Sequence, residues 1–293
     1  MTISYLEEQG DMDIKLIGVV GMGLMGSGIV ESCARAGFEV MGREVNDELL
    51  ERGMNSLKAS MERGVKKGKL SQADMDAALA RVKGTTSLAD FTSCDLVIEA
   101  AVENMALKKT IFTELDVITR PEAILASNTS SLSITEIASA TGRPDKVVGL
   151  HFFNPVPVMP LLEVVSGLLT SQETLDVARW MGERLNKQVI YAKDNPGFIV
   201  NLLLVPYLFD AVRALENGVA SKEDIDTGIK LGLNHPMGPF MLMDFVGLDT
   251  CLFIGDAMYQ EFKDARYAAP PLLRRMVTAG LLGRKSGRGF YSY

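Results

Sequence analysis

The segment "VVGMGLMGSG" constrains the fold of this chain more than any other. Gly21, Gly23 and Gly26 form a G-x-G-x-x-G pattern that directly follows a strand-like run and directly precedes a helical one. In such a turn the first glycine permits a tight bend, the second lets a pyrophosphate approach the backbone, and the third lets helix and strand pack closely. The pattern therefore predicts a dinucleotide-binding βαβ unit, with the anion at the helix N-terminus. The residues predicted to contact the cofactor are Gly21, Met22, Gly23, Leu24, Met25 and Gly26.

Short β-branched runs alternate with helical patterns from residue 14 to about 192, which predicts an α/β fold with a doubly wound, mostly parallel Rossmann sheet. Residues 46–81 are helical throughout but interrupted by glycines, so we expect an inserted hairpin of two antiparallel helices projecting from the sheet. After residue 198 the strand signals stop. We expect a loose extension over 1–12, a dinucleotide-binding domain over 13–193 and an all-helical C-terminal domain over 194–293. The candidate strands are "IKLIGVV", "FEVMG", "VKGTT", "DLVIEA", "AILAS", "KVVGLHF" and "LLEVV".

Composition narrows the class of protein. The net charge of −7 over 293 residues argues against nonspecific nucleic-acid binding. The three cysteines lie far apart and in no metal-binding spacing, which indicates reduced thiols and no metal site. No apolar stretch at the start is long enough to span a membrane, and no export signal is recognisable there. We therefore expect a cytoplasmic protein that binds neither nucleic acid nor membrane.

Acidic residues follow two of the predicted strands. Glu44 ends the second strand at about the spacing expected for a carboxylate that binds the cofactor ribose. It would repel a 2′-phosphate, which favours NAD over NADP, although Arg43 beside it keeps NADP open. Glu99 ends the fourth strand and is followed by Glu103 and Lys108. These residues belong either to the ligand crevice of the sheet or to a solvated helix start.

The chain contains only two histidines. His235 lies in a proline-bounded loop, which indicates a turn residue. His151 ends a strand in "HFFNPVPVMPLLEV", where it can face the carboxyl edge of the sheet and serve as a general base at neutral pH. Glu163 could accept a hydrogen bond from its second ring nitrogen. The alternative is a His–Glu pair that only satisfies itself in the core.

Polar residues in apolar settings give further candidates. In "ASNTSSLSITE", Ser133 and Glu136 form a helix capping box, which leaves the four preceding polar residues for a ligand. Asn201 lies in an apolar helix, so its amide needs either a backbone carbonyl or a substrate oxygen as partner. The basic segment around Ser60 and Lys67 is either a solvated helix face or a receptor for a phosphorylated handle. The four polar residues are Asn128, Thr129, Ser130 and Ser131.

Seven motifs taken together resemble the L-3-hydroxyacyl-CoA dehydrogenases, and within that family the bacterial 3-hydroxybutyryl-CoA dehydrogenases. They occur in order from about residue 14 to the C-terminus. The motifs are "GxGLMGxGI", "ASNTSSLSI", "HFFNPVPVM", "PGFIVN", "ASKEDIDTGIKLG", "HPMGPF" and "GRKSGRGFY".

The resemblance implies NAD-dependent, reversible oxidation of a short-chain L-3-hydroxyacyl-CoA to a 3-ketoacyl-CoA by a homodimer formed through the C-terminal domain. It implies that His151 is the general acid and base and that Glu163 is its partner. Ser130 and Asn201 would bind substrate oxygens. The remaining implied contacts are Glu103, Lys108, Asn154 and Lys285 to the cofactor, and Ser60 and Lys67 to coenzyme A.

Three positions depart from the family pattern. Pro160 stands where the family usually has Lys, Leu202 where it has Arg, and Met241 where it has Glu. We expect the last two to replace a buried Arg–Glu pair by apolar residues, since an unpaired buried charge would be costly. Two alternatives are a lysine-dependent β-hydroxyacid dehydrogenase, which the absence of lysine from "PGFIVNLLLVPYL" disfavours, and a non-catalytic cofactor-binding relative of the same fold.

Overall fold

The computed structural model describes residues 14–293, so the predicted extension over 1–12 lies outside the described residues. The chain divides into two compact units, the first ending at Asp194 and the second running from Asn195 to Tyr293.

One eight-stranded sheet organises the first unit, in the order β3-β2-β1-β4-β5-β6-β7-β8. Neighbouring strands are parallel except β6 and β7, which pair antiparallel. This arrangement confirms the predicted doubly wound fold. The strands are β1 Leu16–Val20, β2 Glu39–Arg43, β3 Val82–Thr85, β4 Leu96–Glu99, β5 Ile124–Ser127, β6 Val147–Phe152, β7 Leu161–Ser166 and β8 Gln188–Lys193.

Helices connect these strands and cover the sheet. Except in α1, a short polar side chain caps the start of each helix, as in α5, where Ser133 Oγ accepts a hydrogen bond from the backbone N–H of Glu136 at 3.1 Å. The helices of the first unit are α1 Leu24–Arg35, α2 Asp47–Lys66, α3 Gln72–Ala80, α4 Met105–Ile118, α5 Ile134–Ala138 and α6 Gln172–Arg184.

The inserted hairpin exists, as α2 and α3, but it does not project away from the core. Leu57, Met61, Met75 and Ala78 are almost completely buried and belong to the main hydrophobic cluster of this unit. These residues recur at helical spacing along one face of each helix, so the apolar stripe packs on α1 and removes its surface from water. One face of the inserted hairpin is therefore part of the core of this unit.

The far edge of the sheet differs from a regular βαβ series. β6 and β7 form an antiparallel pair joined by the segment 153–160, with no crossover helix between them. β8 was not predicted, although "QVIYAK" contains four consecutive apolar residues, Val189–Ala192, of which only Ala192 is buried. It pairs in parallel with β7 over its whole length.

The second unit is helical. Its core includes Phe209, Phe240, Leu248, Met258 and Leu273, all 1% exposed or less. Among residues 14–293, no helix is both long and apolar enough to cross a membrane. The helices are α7 Val200–Glu216, α8 Lys222–Gly232, α9 Pro239–Val246, α10 Leu248–Phe262 and α11 Pro271–Thr278.

Candidate active site

Each glycine of the loop between β1 and α1 has a different structural reason. Gly21 has a positive φ of 94°, and a Cβ there would lie 2.8 Å from the carbonyl oxygen of Ala100. A Cβ on Gly26 would lie only 1.7 Å from the carbonyl oxygen of Gly21. A Cβ on Gly23 would meet nothing within 4 Å. At Gly21 and Gly26 a side chain would collide with neighbouring protein atoms. At Gly23 no protein atom is close, so the space over this residue is open to a ligand.

The start of α1 suits an anion. Gly23 is the N-cap residue, it supplies no capping side chain, and no acidic residue lies in the first turn of the helix. The helix dipole and its first backbone N–H groups therefore face the open space over Gly23 without a protein carboxylate to neutralise them. These features fit the pyrophosphate of a dinucleotide.

Glu44, immediately after β2, lies beside this loop. Its Oε1 accepts a hydrogen bond from the backbone N–H of Met22 at 2.7 Å, and its Oε2 accepts one from Val45 at 3.1 Å. The carboxylate is thus held next to the glycine turn, in the position from which an acidic residue binds a ribose diol.

His151 and Glu163 face each other in the register of β6 and β7. His151 Nδ1 lies 2.6 Å from Glu163 Oε2. The histidine is 6% exposed and the glutamate is fully buried. Because an ionised carboxylate only accepts hydrogen bonds, Nδ1 carries the hydrogen of the neutral ring, and Nε2 is then its basic nitrogen.

A buried ion cluster lies at the carboxyl ends of β4 and β5. Lys108 Nζ lies 2.7 Å from Glu99 Oε1 and 3.3 Å from Glu103 Oε2. Lys108 is 1% exposed and Glu99 is fully buried. Glu99 Oε2 also accepts a hydrogen bond from Ser127 Oγ at 2.7 Å. The ammonium group of Lys108 thus forms ion pairs with Glu99 and Glu103. Its contact with the cofactor stays a prediction.

The four polar residues after β5 make hydrogen bonds within the protein, and their proposed role in ligand binding stays a prediction. Glu103 Oε1 accepts hydrogen bonds from the hydroxyl of Thr129 and from the backbone N–H of Ser130, the latter at 2.9 Å. Asn128 Oδ1 accepts one from the backbone N–H of Phe152 at 3.0 Å. In the loop after β5, polar side chains and backbone groups are thus hydrogen-bonded to other groups of the protein. The hydroxyl groups of Ser130 and Ser131 make only long hydrogen bonds to Glu103 Oε1, at 3.4 and 3.5 Å.

A cleft of about 490 Å³ joins several predicted residues of the first unit. Glu44, Ser60 and Asn154 line it together with the glycine loop. Lys67, the exposed C-cap residue of α2, does not line it. Arg52 and Arg63 line it as well, and neither guanidinium has a hydrogen-bond or ion-pair partner among residues 14–293. Neither arginine was predicted to be a site residue, although positions 52, 56, 60 and 63 share one face of α2 at helical spacing.

The remaining predicted residues belong to the second unit. Asn201 is half-buried in the first turn of α7, and Lys285 is exposed with its Nζ 2.6 Å from Asp249 Oδ2. His235 is exposed in the loop between α8 and α9, as expected of a turn residue. Met241 is 38% exposed in the single chain, and the expected replacement of a buried Arg–Glu pair stays a prediction.

Comparisons with known proteins agree with this geometry. The model of the "3-hydroxyacyl-CoA dehydrogenase, NAD binding domain" matches residues 16–195, and that of the "3-hydroxyacyl-CoA dehydrogenase, C-terminal domain" matches residues 197–293. A 3-hydroxybutyryl-CoA dehydrogenase from Mycobacterium tuberculosis is 51% identical over 282 residues, which cover 96% of this chain and 99% of that protein.

More distant relatives give the same result. The human mitochondrial hydroxyacyl-coenzyme A dehydrogenase is 43% identical over 96% of this chain and 91% of its own length. The crystal structure of (S)-3-hydroxybutyryl-CoA dehydrogenase from Ralstonia eutropha superposes with a TM-score of 0.92 at 47% identity, covering 96% of this chain and 99% of that one. Because the two family models together account for nearly all described residues, the chain belongs to the 3-hydroxyacyl-CoA dehydrogenase family and is an oxidoreductase with a nicotinamide dinucleotide cofactor.

Proposed function

We propose that this enzyme oxidises a short-chain L-3-hydroxyacyl-CoA reversibly to the 3-ketoacyl-CoA, with NAD as cofactor and His151 as general acid and base. The observation that carries the proposal is the 2.6 Å contact between His151 Nδ1 and the buried carboxylate of Glu163. It fixes the orientation of the ring and makes Nε2 the nitrogen that exchanges a proton with substrate.

Bound NAD supplies the acceptor and donor of the hydride. In the oxidative direction, His151 Nε2 takes the proton of the 3-hydroxyl group and Glu163 stabilises the imidazolium that forms. In the reductive direction, the imidazolium returns this proton to the substrate oxygen. Ser130 and Asn201 donate hydrogen bonds to substrate oxygens, as the family resemblance implies. The active form of His151 is thus neutral in one direction and charged in the other, so the two directions have opposite pH trends.

The preference for NAD over NADP rests on Glu44. Its carboxylate is held beside the glycine loop by the backbone N–H of Met22 at 2.7 Å. A negative charge in this place accepts hydrogen bonds from ribose hydroxyls and repels a 2′-phosphate. Glu103, Lys108, Asn154 and Lys285 contribute further cofactor contacts in this proposal.

The 490 Å³ cleft supports a site for the coenzyme A part of the substrate. Ser60 lines it beside Arg52 and Arg63, whose guanidinium groups have no partner among residues 14–293. Guanidinium groups bind phosphates through paired hydrogen bonds. Lys67, nearby in sequence at the end of α2, adds a further positive charge.

A four-carbon acyl chain is the substrate that the names of the relatives favour, since those at about half identity are called 3-hydroxybutyryl-CoA dehydrogenases. We further propose a cytoplasmic homodimer formed through the helical C-terminal unit. The second unit presents large exposed apolar side chains, which supports an interface there. Those more than 40% exposed include Leu203, Leu231, Leu233, Phe245 and Phe253.

The test is the loss of NADH absorbance with acetoacetyl-CoA, repeated with NADPH and with 3-ketoacyl-CoA substrates of increasing chain length. We expect rapid turnover with NADH and the four-carbon substrate, slower turnover with longer chains, and a kcat/KM at least tenfold lower with NADPH. Failure to turn over any 3-ketoacyl-CoA, with NADH still bound, would contradict the proposal and indicate a cofactor-binding relative without this activity.

A further inference from the structure

The turn that joins β6 to β7 is built largely from its own backbone. The backbone N–H groups of Val158 and Met159 both donate to the carbonyl oxygen of Pro155 at 2.9 Å. This turn follows His151 directly and leads to Glu163. Its first half, from Asn154 to Pro157, forms one wall of the 490 Å³ cleft. Its conformation therefore determines the shape of the cleft next to the proposed acid–base pair.

Lys187 closes this turn from the end of α6. Its Nζ donates hydrogen bonds to the carbonyl oxygens of Val156 at 2.5 Å and of Met159 at 2.8 Å. Val156 is 2% exposed, so its carbonyl would have little access to water if the ammonium group were removed. The ammonium group of Lys187 thus donates hydrogen bonds to two backbone carbonyls that lie outside the helices and strands.

The setting of Lys187 is unusual for a purely structural cation. The side chain is 9% exposed. Burial, and the positive charge of Arg35, lower its pKa. Arg35 and Lys187 also line a 280 Å³ cavity, and no carboxylate lines that cavity. The ammonium group is therefore held by backbone carbonyls in place of an acidic partner.

A second contact holds the same turn. A Cβ on Gly28 of α1 would lie 3.0 Å from Cβ of Val156, so α1 and the turn approach each other closely at this glycine. Gly28 and Lys187 together fix Val156 by its side chain and by its carbonyl. A displacement of Val156 moves the neighbouring Asn154–Pro157 wall of the cleft.

We propose that Lys187 is a positioning residue of the dehydrogenase reaction: by binding the carbonyls of Val156 and Met159, it holds the cleft wall that receives the acyl-CoA substrate. This proposal rests on the function proposed above. Lys187 touches neither the acid–base pair nor the glycine loop. Its loss is expected to weaken the binding of the acyl-CoA substrate and, because Asn154 in the same wall is a proposed cofactor contact, the binding of NADH as well.

The experiment compares Lys187→Met, which keeps the length of the side chain and removes its donors, with Lys187→Arg, which keeps donors and has the cavity beside it for the larger group. Lys193→Met is the matched control, because Lys193 is exposed at the other end of β8. We measure KM and kcat with acetoacetyl-CoA, Kd for NADH by fluorescence, and melting temperature for each variant.

In Lys187→Met we expect the KM for acetoacetyl-CoA to rise at least tenfold and kcat to fall less than threefold. Lys187→Arg should restore KM to within threefold, and Lys193→Met should match wild type. A folded Lys187→Met protein with a wild-type KM would overturn the proposal. If Lys187→Met does not fold, Lys187→Arg decides: a folded protein with near wild-type KM supports it, and a tenfold rise contradicts it.

Amide hydrogen exchange separates this proposal from the proposed function. If wild type does not reduce acetoacetyl-CoA, the proposed function fails, and exchange at Val158 and Met159 still reports on the turn. We expect exchange at least tenfold faster in Lys187→Met than in wild type and unchanged in Lys193→Met. Equal exchange rates in all three proteins would show that Lys187 does not hold the turn.

Discussion

His151 and Glu163 are twelve residues apart in the chain yet directly opposite each other in the antiparallel pair of β6 and β7. Strand pairing alone brings the imidazole to the carboxylate, so the contact does not depend on a mobile loop. A fully buried carboxylate needs hydrogen-bond donors, and the Nδ1 of His151 supplies one to Glu163 at 2.6 Å.

Removing the charge of Glu163 tests its proposed role. In Glu163→Gln the size of the side chain is kept, but the amide neither stabilises an imidazolium nor fixes the ring in one tautomer. We expect kcat to fall by about 10²-fold or more, with the Kd for NADH unchanged. Glu173→Gln, at an exposed position of α6, should retain full activity. A Glu163→Gln enzyme as active as this control would refute the role of the carboxylate.

Two alanine substitutions separate the roles of the loop glycines. Gly23 has a φ of −67°, which any residue adopts, and a Cβ there meets no protein atom within 4 Å. Gly23→Ala should therefore fold with an unchanged melting temperature and bind NADH at least tenfold more weakly. Gly26→Ala places a Cβ 1.7 Å from the carbonyl oxygen of Gly21, so it should lose stability and NADH binding together. Normal NADH binding by Gly23→Ala would argue against a cofactor over this glycine.

The buried pair of Lys108 and Glu99 should matter for stability. Lys108→Met leaves the fully buried carboxylate of Glu99 without its cation, and breaking such a pair costs about 3–5 kcal/mol. Lys109→Met is the control, because its ion pair with Glu136 is exposed and such pairs contribute about 0–1 kcal/mol. Urea unfolding of both variants measures the difference. Equal free energies of unfolding would show that the buried pair is not needed.

The cysteines should be inert in the folded protein. Burial raises the pKa of the Cys33, Cys94 and Cys251 thiols to about 12, and each side chain is at most 2% exposed. At pH 8 the thiols are therefore protonated, whereas a thiol reagent attacks the thiolate. We expect no reaction with Ellman's reagent in the native protein and reaction of all three thiols after unfolding. Fast labelling of one thiol under native conditions would contradict this burial.

The sequence predicted those parts of the fold that depend on local patterns. The glycine spacing and the β–α alternation were sufficient for the doubly wound sheet, and helical spacing was sufficient for α2 and α3. β8 was not predicted although Val189–Ala192 are all apolar, and as an edge strand it buries only Ala192 of them. The packing of α2 and α3 on α1 was not predicted, because sequence periodicity shows that a helix has an apolar face but not which helix this face covers.

Contacts in the site could be predicted where both residues belong to one sequence motif. They could not be predicted where the residues come from segments far apart in the chain. His151 and Glu163 lie within one strand–turn–strand segment. Lys187 and Arg63 come from other elements, and nothing in their local sequence shows that they face a turn or a cleft. In the loop after β5, the sequence showed the capping box of Ser133 and Glu136 but not the hydrogen bonds of the residues before it. The pairing of Thr129 and Ser130 with Glu103 depends on the end of β4.

The central claim is that His151 transfers the substrate proton, and the most direct measurement is the rate of NADH oxidation with saturating acetoacetyl-CoA in wild type and in His151→Gln. We expect this rate to fall at least about 10²-fold in the variant, as for loss of a general acid, while the Kd for NADH and the melting temperature stay close to wild type. A His151→Gln enzyme that retains more than a tenth of the wild-type rate would contradict the claim.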